Sequence, residues 1–313
     1  MIAGAVAGPS TVRVRVPATS ANLGPGFDSL GMALRLHDDV EVRVVPDGGA
    51  PGRASVATCG ESAADFPRDE SNLIAHTTIA TMRRCGVEPP YLDLTCATAL
   101  PHGRGLGSSA AAIVAGVLAG RTLAARHRDP DAELALAADL EGHPDNVAAC
   151  VYGGVTISWN EAEGQGHERA RAVRIPVHPD IVVTLAVPGH RVPTSAARAM
   201  LPASVTHDDA VFTGARAALL VQAMSGRPDL LFAATADRIH QDMRGGTMPQ
   251  TLHLVHALRR QGIAAVVSGA GPSVLALATT DLQDVVAAEA GSDWRVAVVD
   301  IDGAGAQVLE PHG

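Results

Sequence analysis

The sequence predicts an α+β protein built from two lobes that meet near residues 160 to 190. Strand-like alternation of apolar and polar residues dominates the first part of the chain, whereas helical and strand-like segments are mixed in the later part. The 313 residues exceed one average domain, which favours one large or two medium domains. Apolar residues make up 47% of the chain and charged residues 18%, enough for a sizeable core in either arrangement.

The N-terminal elements follow from alternation and from turn residues. Residues 11–16 read T-V-R-V-R-V and alternate with the period of two that a half-buried strand requires. Residues 17–31 are rich in Pro, Gly, Ser and Asn, but apolar residues follow at once, so an ordered functional loop is expected there. Residues 40–45 alternate again and end at a Pro-Asp-Gly-Gly turn signal, and a third strand is expected at 91–96.

The later elements are helices and short strands. Residues 108–125 are rich in Ala, Val, Ile and Leu and contain no Pro, which predicts a buried helix. A helix at 131–140 leads into E-G-H-P-D-N, and strands at 173–177 and 181–187 are expected to form a hairpin. The remaining predictions are helices at 194–200, 207–225, 229–239, 249–260 and 280–290, and strands at 155–159, 264–267, 274–278 and 296–299.

Composition and charge exclude several classes of protein. The chain has 24 basic and 33 acidic residues, a net charge of −9, and no dense basic block that could follow a nucleic-acid backbone. It lacks an apolar run of roughly 20 residues and a basic N-terminal region, so we expect a cytoplasmic protein that does not insert in a membrane. Its four cysteines form no C-x-x-C pair, which argues against a zinc knuckle or a disulfide framework.

The strongest local signal is the glycine-rich stretch from Leu100 to Ala111, L-P-H-G-R-G-L-G-S-S-A-A. Glycines at alternate positions let the backbone approach an anion, and the following helix directs its positive end to the same point. Such a loop can hold a triphosphate, although a capped helix after an ordinary glycine loop has the same spacing. The P-loop and dinucleotide patterns both fail here. The esterase elbow G-x-S-x-G fails only at Ala111, which leaves a serine hydrolase as a more distant alternative.

Three further motifs accompany this loop in order. They are P-A-T-S-A-N-L-G-P-G-F-D at 17–28, E-G-H-P-D-N-V-A at 141–148 and S-G-A-G-P-S at 268–273. With them the chain resembles the GHMP kinase superfamily, and the stretch at 141–148 is similar to the homoserine kinase version of that motif. The resemblance extends from about residue 12 to the late strands.

The resemblance implies a fold and an assembly. It implies a ribosomal-protein-S5-domain-2-like lobe that binds ATP over residues 1–165. It also implies a ferredoxin-like α/β lobe over residues 166–313, and a homodimer.

The same resemblance implies a nucleotide and metal site. Ser108 and Glu141 match the family's magnesium ligands, and a hydroxyl and a carboxylate suit that hard cation. Without the motif, Glu141 would be read as a solvated residue at a helix end. The implied contacts to ATP are Asn72, Pro101, Gly103, Arg104, Gly105, Leu106, Gly107, Ser108, Ser109 and Ala110.

The implied acceptor is L-homoserine, whose ammonium, carboxylate and hydroxyl need an anion, a cation and neutral hydrogen-bonding groups. Asn22 and Asp28 match positions that hold the amino-acid head, and His143 matches a substrate contact. Arg198 and Arg244 match two arginines that bind the carboxylate, for which the guanidinium fork is well shaped. Taken singly, each arginine could instead form a surface ion pair and the histidine could be structural.

Asp145, Asn146 and Thr194 are the candidates for the chemical step. Phosphoryl transfer depends mainly on positioning and charge neutralisation, so a strong base is not required. The resemblance nevertheless implies a candidate base, because related kinases of the superfamily place a catalytic aspartate just before an Asn, as Asp145 precedes Asn146 here. Asp145 could instead orient His143 or Asn146. The expected reaction converts homoserine and ATP to O-phosphohomoserine and ADP on the route to threonine. The alternatives are a GHMP kinase for another small alcohol and a non-catalytic ATP-binding metabolite sensor.

Overall fold

The computed structural model describes residues 8–162 and 168–309, which form two sheets with helices packed on them. The strands are β1 Thr11–Asn22, β2 Gly26–Val44, β3 Ala54–Gly60, β4 Leu92–Thr98, β5 Val155–Ala162, β6 Glu168–Ile175, β7 Val182–Pro188, β8 Ala264–Val267, β9 Val274–Ala278, β10 Trp294–Val299 and β11 Gln307–Leu309. The helices are α1 Leu73–Arg84, α2 Ser108–Leu123, α3 Pro130–Glu141, α4 Asp145–Tyr152, α5 Thr194–Ala199, α6 His207–Ser225, α7 Leu231–Ala234, α8 Pro249–Arg260 and α9 Gln283–Ala290, with short 3₁₀ turns at Ala63–Asp65, Pro228–Leu230 and Asp242–Gly246. None of the helices in these ranges combines the length and apolar character needed to cross a membrane.

The larger sheet forms the first lobe and has the order β11-β1-β2-β4-β3, with β5 paired to β2 and β6 paired to β5. Helices α2 and α4 pack against β1 and β2, and α1 packs on α2. The smaller sheet has the order β10-β7-β9-β8. The two-lobed α+β prediction is therefore confirmed, and the buried face of α2 lies at the centre of the main core.

Sheet membership changes within the region of residues 160 to 190, where the two lobes are predicted to meet. Strand β6 pairs with β5 along its whole length, whereas β7 belongs to the second sheet, so the change falls between Ile175 and Val182. The predicted boundary between 165 and 166 lies outside the described residues. The predicted hairpin of 173–177 with 181–187 is wrong, because these segments enter different sheets. The C-terminal strand β11 then returns to β1 in the first lobe.

The expected loop at 17–31 is largely strand. Strand β1 continues to Asn22 and β2 begins at Gly26, with only a tight turn between them. Pro17 is tolerated in the strand because the pairing register shifts directly after it. Thr19 and Ser20, two of the polar residues that suggested a loop, are buried in β1.

Most helices match their predictions, but the helix expected at 229–239 is wrong. Only Leu231–Ala234 is helical there. The Asp237 carboxylate accepts hydrogen bonds from the backbone N–H groups of Ile239, His240 and Gln241 at 2.9 to 3.0 Å, which stabilises an irregular turn instead. Helices α1 and α4 and strand β3 were not predicted, and α4 begins within the E-G-H-P-D-N motif.

Candidate active site

A pocket of about 400 Å³ collects side chains and backbone from both lobes. Of the predicted site residues, it is lined by Asn22, Asp28, Gly103, Arg104, Gly105, Leu106, Gly107, Ser108, Ser109, Glu141, His143, Asp145, Asn146, Thr194, Arg198 and Arg244. His102, Pro193, Ser195, Gly269 and Ala270 complete the lining. The four motifs, which are far apart in sequence, therefore meet around one cavity.

The glycine-rich loop forms one wall of the pocket. Gly103, Gly105 and Gly107 have φ angles of 68°, 71° and 66°, a left-handed conformation that favours glycine. A Cβ atom at Gly105 would lie 2.3 Å from the Ser268 carbonyl oxygen, so a side chain cannot fit there. Helix α2 begins at Ser108, directly after the loop, so its positive end faces the pocket. The glycine conformations and the N-terminus of α2 together make this wall suited to binding an anion.

The S-G-A-G-P-S motif packs against the glycine-rich loop. The Ser268 hydroxyl lies 2.6 Å from the Gly105 carbonyl oxygen and 2.9 Å from the Ser20 hydroxyl. Arg104 adds a link to the second lobe, because its guanidinium donates to the carbonyl oxygens of Pro188 and Gly189 at 2.9 and 2.8 Å. Its backbone lines the pocket while its side chain joins the lobes.

Three predicted nucleotide contacts do not line the pocket: Asn72, Pro101 and Ala110. Asn72 is the N-cap of α1, where its Oδ1 accepts a hydrogen bond from the Ile74 N–H and its amide donates to the Pro67 carbonyl oxygen. Pro101 and Ala110 are buried beside the glycine loop. Their predicted contacts to the nucleotide stay predictions.

Glu141 ends α3 beside the start of α2. Its Oε2 accepts a hydrogen bond of 2.8 Å from the Ser109 hydroxyl, and Ser108 lines the same pocket. Burial raises the pKa of the Glu141 carboxyl. No group of three His, Cys, Asp or Glu side chains in the described ranges could hold a metal by itself. The oxygen donors present fit Mg²⁺ if phosphate oxygens and water supply its other ligands.

Asp145 stands at the centre of a hydrogen-bond network. It is 2% exposed, and its Oδ1 accepts from the Asn146 backbone N–H at 2.7 Å and lies 3.2 Å from His143 Nδ1. The hydrogen bond to Asp145 raises the pKa of His143. Thr19 donates to Asn146 Oδ1 at 2.8 Å, and its N–H donates to the Leu106 carbonyl oxygen at 3.1 Å. Thr19 was not predicted, although its position within the first motif is a signal that could have identified it.

Charged side chains form a second group in the lining of the same pocket. Arg198 forms a two-pronged ion pair with Asp28, with N–O distances of 2.8 and 3.2 Å. Arg244 is 2% exposed, donates to the Gly269 carbonyl oxygen at 3.0 Å, and has a buried Nε without a hydrogen-bond partner among the described residues. Asn22 contacts the same carbonyl oxygen at 2.9 Å and accepts from the Asp28 N–H at 3.0 Å. This group of side chains therefore carries a negative charge that could bind an ammonium and positive charges that could bind a carboxylate.

Comparisons with known proteins identify the family. The family model for the GHMP kinases N terminal domain matches residues 72–154, and the model for GHMP kinases C terminal matches residues 215–295. The homoserine kinase of Streptomyces coelicolor is 49% identical over 311 residues, covering 97% of each chain. The homoserine kinase of Clavibacter michiganensis is 46% identical over 308 residues, covering 96% of this chain and 95% of that protein.

A solved structure extends the comparison to the whole fold. The crystal structure of homoserine kinase from Cytophaga hutchinsonii superposes with a TM-score of 0.82 at 26% identity, covering 96% of this chain and 98% of that one. Both lobes match kinase family models, and relatives approaching half identity span nearly the full length. The chain therefore belongs to the homoserine kinase family of the GHMP kinases.

Proposed function

We propose that this protein transfers the γ-phosphate of ATP to the side-chain hydroxyl of L-homoserine, which yields O-phospho-L-homoserine and ADP on the route to threonine. One observation carries the proposal: a single pocket is lined both by a loop suited to an anion and by the charged groups that an amino acid requires. The similarity to homoserine kinases over nearly the whole chain supports this choice of substrate.

The nucleotide's triphosphate binds at the glycine loop and the N-terminus of α2. Gly103, Gly105 and Gly107 let the backbone approach the phosphates closely. Ser108 and Glu141 would hold Mg²⁺, and Ser109 orients the Glu141 carboxylate through its 2.8 Å hydrogen bond. When bound, this cation neutralises phosphate charge.

The amino acid binds across the pocket from the phosphates. Asp28 receives the ammonium, while Arg198 and Arg244 bind the carboxylate, and the unpartnered Arg244 Nε supports this assignment. Asn22 fixes the Asp28 backbone through its 3.0 Å hydrogen bond. Because Asp28 and Arg198 pair with each other, the zwitterion replaces two charge-assisted hydrogen bonds with contacts of the same kind.

The chemical step relies on positioning. Asp145 orients His143 and Asn146 through hydrogen bonds to its Oδ1, and this supports a positioning role over that of a free base. His143 contacts the substrate, and Thr194, at the start of α5, directs the hydroxyl toward the γ-phosphate. A cytoplasmic homodimer completes the proposal. The location rests on the charge and apolar patterning of the sequence, and the assembly rests on the family resemblance.

An ADP-release assay with a panel of acceptors tests the function. Homoserine, mevalonate, galactose and shikimate would each be supplied with ATP and magnesium, and we expect homoserine to have the highest kcat/KM. Faster turnover of another alcohol would overturn the substrate assignment. ATP binding without turnover of any acceptor would favour a metabolite sensor.

A further inference from the structure

Phe27 lies next to the substrate end of the pocket without lining it. Its ring centroid is 5.9 Å from Arg198 Cζ and 5.4 Å from Arg244 Cζ, both within the range of a cation–π contact. The ring also stacks on His240, with a centroid separation of 4.9 Å and an interplanar angle of 26°. One aromatic side chain therefore contacts both arginines assigned to the carboxylate.

The two guanidinium groups need such a neighbour because they repel each other. Arg244 is 2% exposed, and burial together with the Arg198 charge lowers its pKa. Asp28 compensates Arg198 through a direct ion pair. For Arg244, the described hydrogen-bond acceptor is a backbone carbonyl oxygen. The carboxylates of Asp28, Asp237 and Asp145 act on it through space, and the negative face of the Phe27 ring is a further source of compensation.

His240 holds the ring in place and adds no charge of its own. The side chain is fully buried, and its Nε2 lies 2.6 Å from the Gly24 carbonyl oxygen. A carbonyl oxygen can only accept, so Nε2 carries the hydrogen. Burial lowers the pKa of His240 and favours the neutral imidazole, against the opposing effect of the Asp237 carboxylate, whose Oδ2 lies 3.7 Å from Nε2. The stack is thus anchored in the turn between β1 and β2.

We propose that Phe27, stacked on His240, is a positioning residue that holds Arg198 and Arg244 together for the α-carboxylate of the substrate. The inference rests on the proposed function and deepens it, because it assigns selection for a carboxylate to a side chain that does not touch the substrate. Removing the ring should let the guanidiniums separate, which weakens carboxylate binding and leaves the nucleotide end unchanged.

The test replaces Phe27 with Leu, which removes the aromatic face. We expect F27L to raise the KM for homoserine about tenfold and to change the KM for ATP less than about twofold. Inhibition by 3-aminopropan-1-ol, which has the ammonium and hydroxyl of homoserine but no carboxylate, should change less than about twofold. F27Y, which keeps the aromatic face, should have the wild-type KM for homoserine.

Phe212 provides a matched control. Its ring also contacts two arginines, with Cζ of Arg216 at 4.8 Å and Cζ of Arg238 at 3.9 Å, but none of the three lines the pocket. F212L should leave all three constants at wild-type values. If F27L is unstable by thermal melting, F27M serves as a closer match in volume with the same expected loss.

The outcomes separate this inference from the function on which it rests. A wild-type enzyme that does not phosphorylate homoserine would contradict the proposed function. A wild-type enzyme that does so, combined with a folded F27L or F27M that keeps its KM for homoserine, would overturn the role of Phe27. An equal loss for homoserine and 3-aminopropan-1-ol would overturn it as well, because the effect would then not concern the carboxylate.

Discussion

The two proposed binding regions of the pocket are built from different chemical groups. At the proposed nucleotide end the groups are the backbone of Gly103–Gly107 and the N-terminus of α2, with the Ser268 hydroxyl 2.6 Å from the Gly105 carbonyl oxygen. At the amino-acid end they are charged side chains, Asp28, Arg198 and Arg244. The composition limits the choice of cationic side chains. The sequence contains no lysine, and its 24 basic residues are all arginines.

This difference determines what each end should tolerate. A backbone cradle depends on close approach, so it should be sensitive to an added methyl group and insensitive to loss of a remote charge. Paired arginines depend on fork geometry and charge, so truncation of one side chain should weaken one substrate selectively. The following predictions test this contrast, from the largest expected effect to the smallest.

The largest effect is expected at Glu141, a charged side chain that belongs to the nucleotide end. Glu141→Ala should lower kcat on the order of 10²- to 10³-fold, since the cation that neutralises the phosphates would lose a protein ligand. Steady-state assays across magnesium concentrations would measure this, and the melting temperature should stay near that of the wild type. Asp139→Ala, which removes an exposed carboxylate from the same helix, is the control. Unchanged activity in Glu141→Ala would remove this residue from the site.

The next effect is geometric. Gly105→Ala should raise the KM for ATP about 100-fold with little change for homoserine, because the new Cβ would overlap the Ser268 carbonyl oxygen and push the loop out of place. Gly86→Ala is the matched control, since Gly86 has a similar φ of +81° but open space around its Cβ position. Equal effects of the two substitutions would mean that backbone strain alone, and not close approach, explains the loss.

A smaller and opposite selectivity is expected at the amino-acid end. Arg198→Ala should raise the KM for homoserine about 30-fold and leave that for ATP nearly unchanged, as expected for the loss of a charge-assisted hydrogen bond. Arg227→Ala is the control, because Arg227 forms a similar two-pronged pair with Asp229 outside the pocket. If both substrates weakened equally, Arg198 would not be a carboxylate ligand.

The sequence predicted the two ends of the site unequally well. Spacing alone singled out the glycine loop as a candidate anion site, because alternating glycines before a helix have a direct physical meaning, but it left an ordinary capped helix as an equal alternative. The charged end depended on the family resemblance, since an isolated Asp28 or Arg198 carries no local signal. Their ion pair spans 170 positions and forms only when the second lobe folds over the first.

The errors in the predicted secondary structure have related causes. The segment at 17–31 reads as a loop by its polar residues, but three of them, Thr19, Ser20 and Asn22, are buried in β1. The helix predicted at 229–239 ends early because the Asp237 carboxylate competes for backbone N–H groups. That local competition produces the turn in which His240 and Gln241 are buried, and periodicity could not reveal it.

The smallest predicted effect concerns pH. Because Asp145 raises the pKa of His143, protonated His143 stabilises the folded state fully below about 6.5, its ordinary value, and this contribution is lost as pH rises through the raised pKa. His143→Gln should therefore reduce the free energy of unfolding by about 0.5 kcal/mol more at pH 5.5 than at pH 9, measured by urea titration.

His102, beside the glycine loop, should affect the pH dependence of stability in the opposite direction. Burial lowers its pKa, so His102→Gln should make the protein relatively more stable at acidic pH. If both substitutions changed the pH dependence of the unfolding free energy in the same direction, the opposite pKa shifts of His143 and His102 would be contradicted.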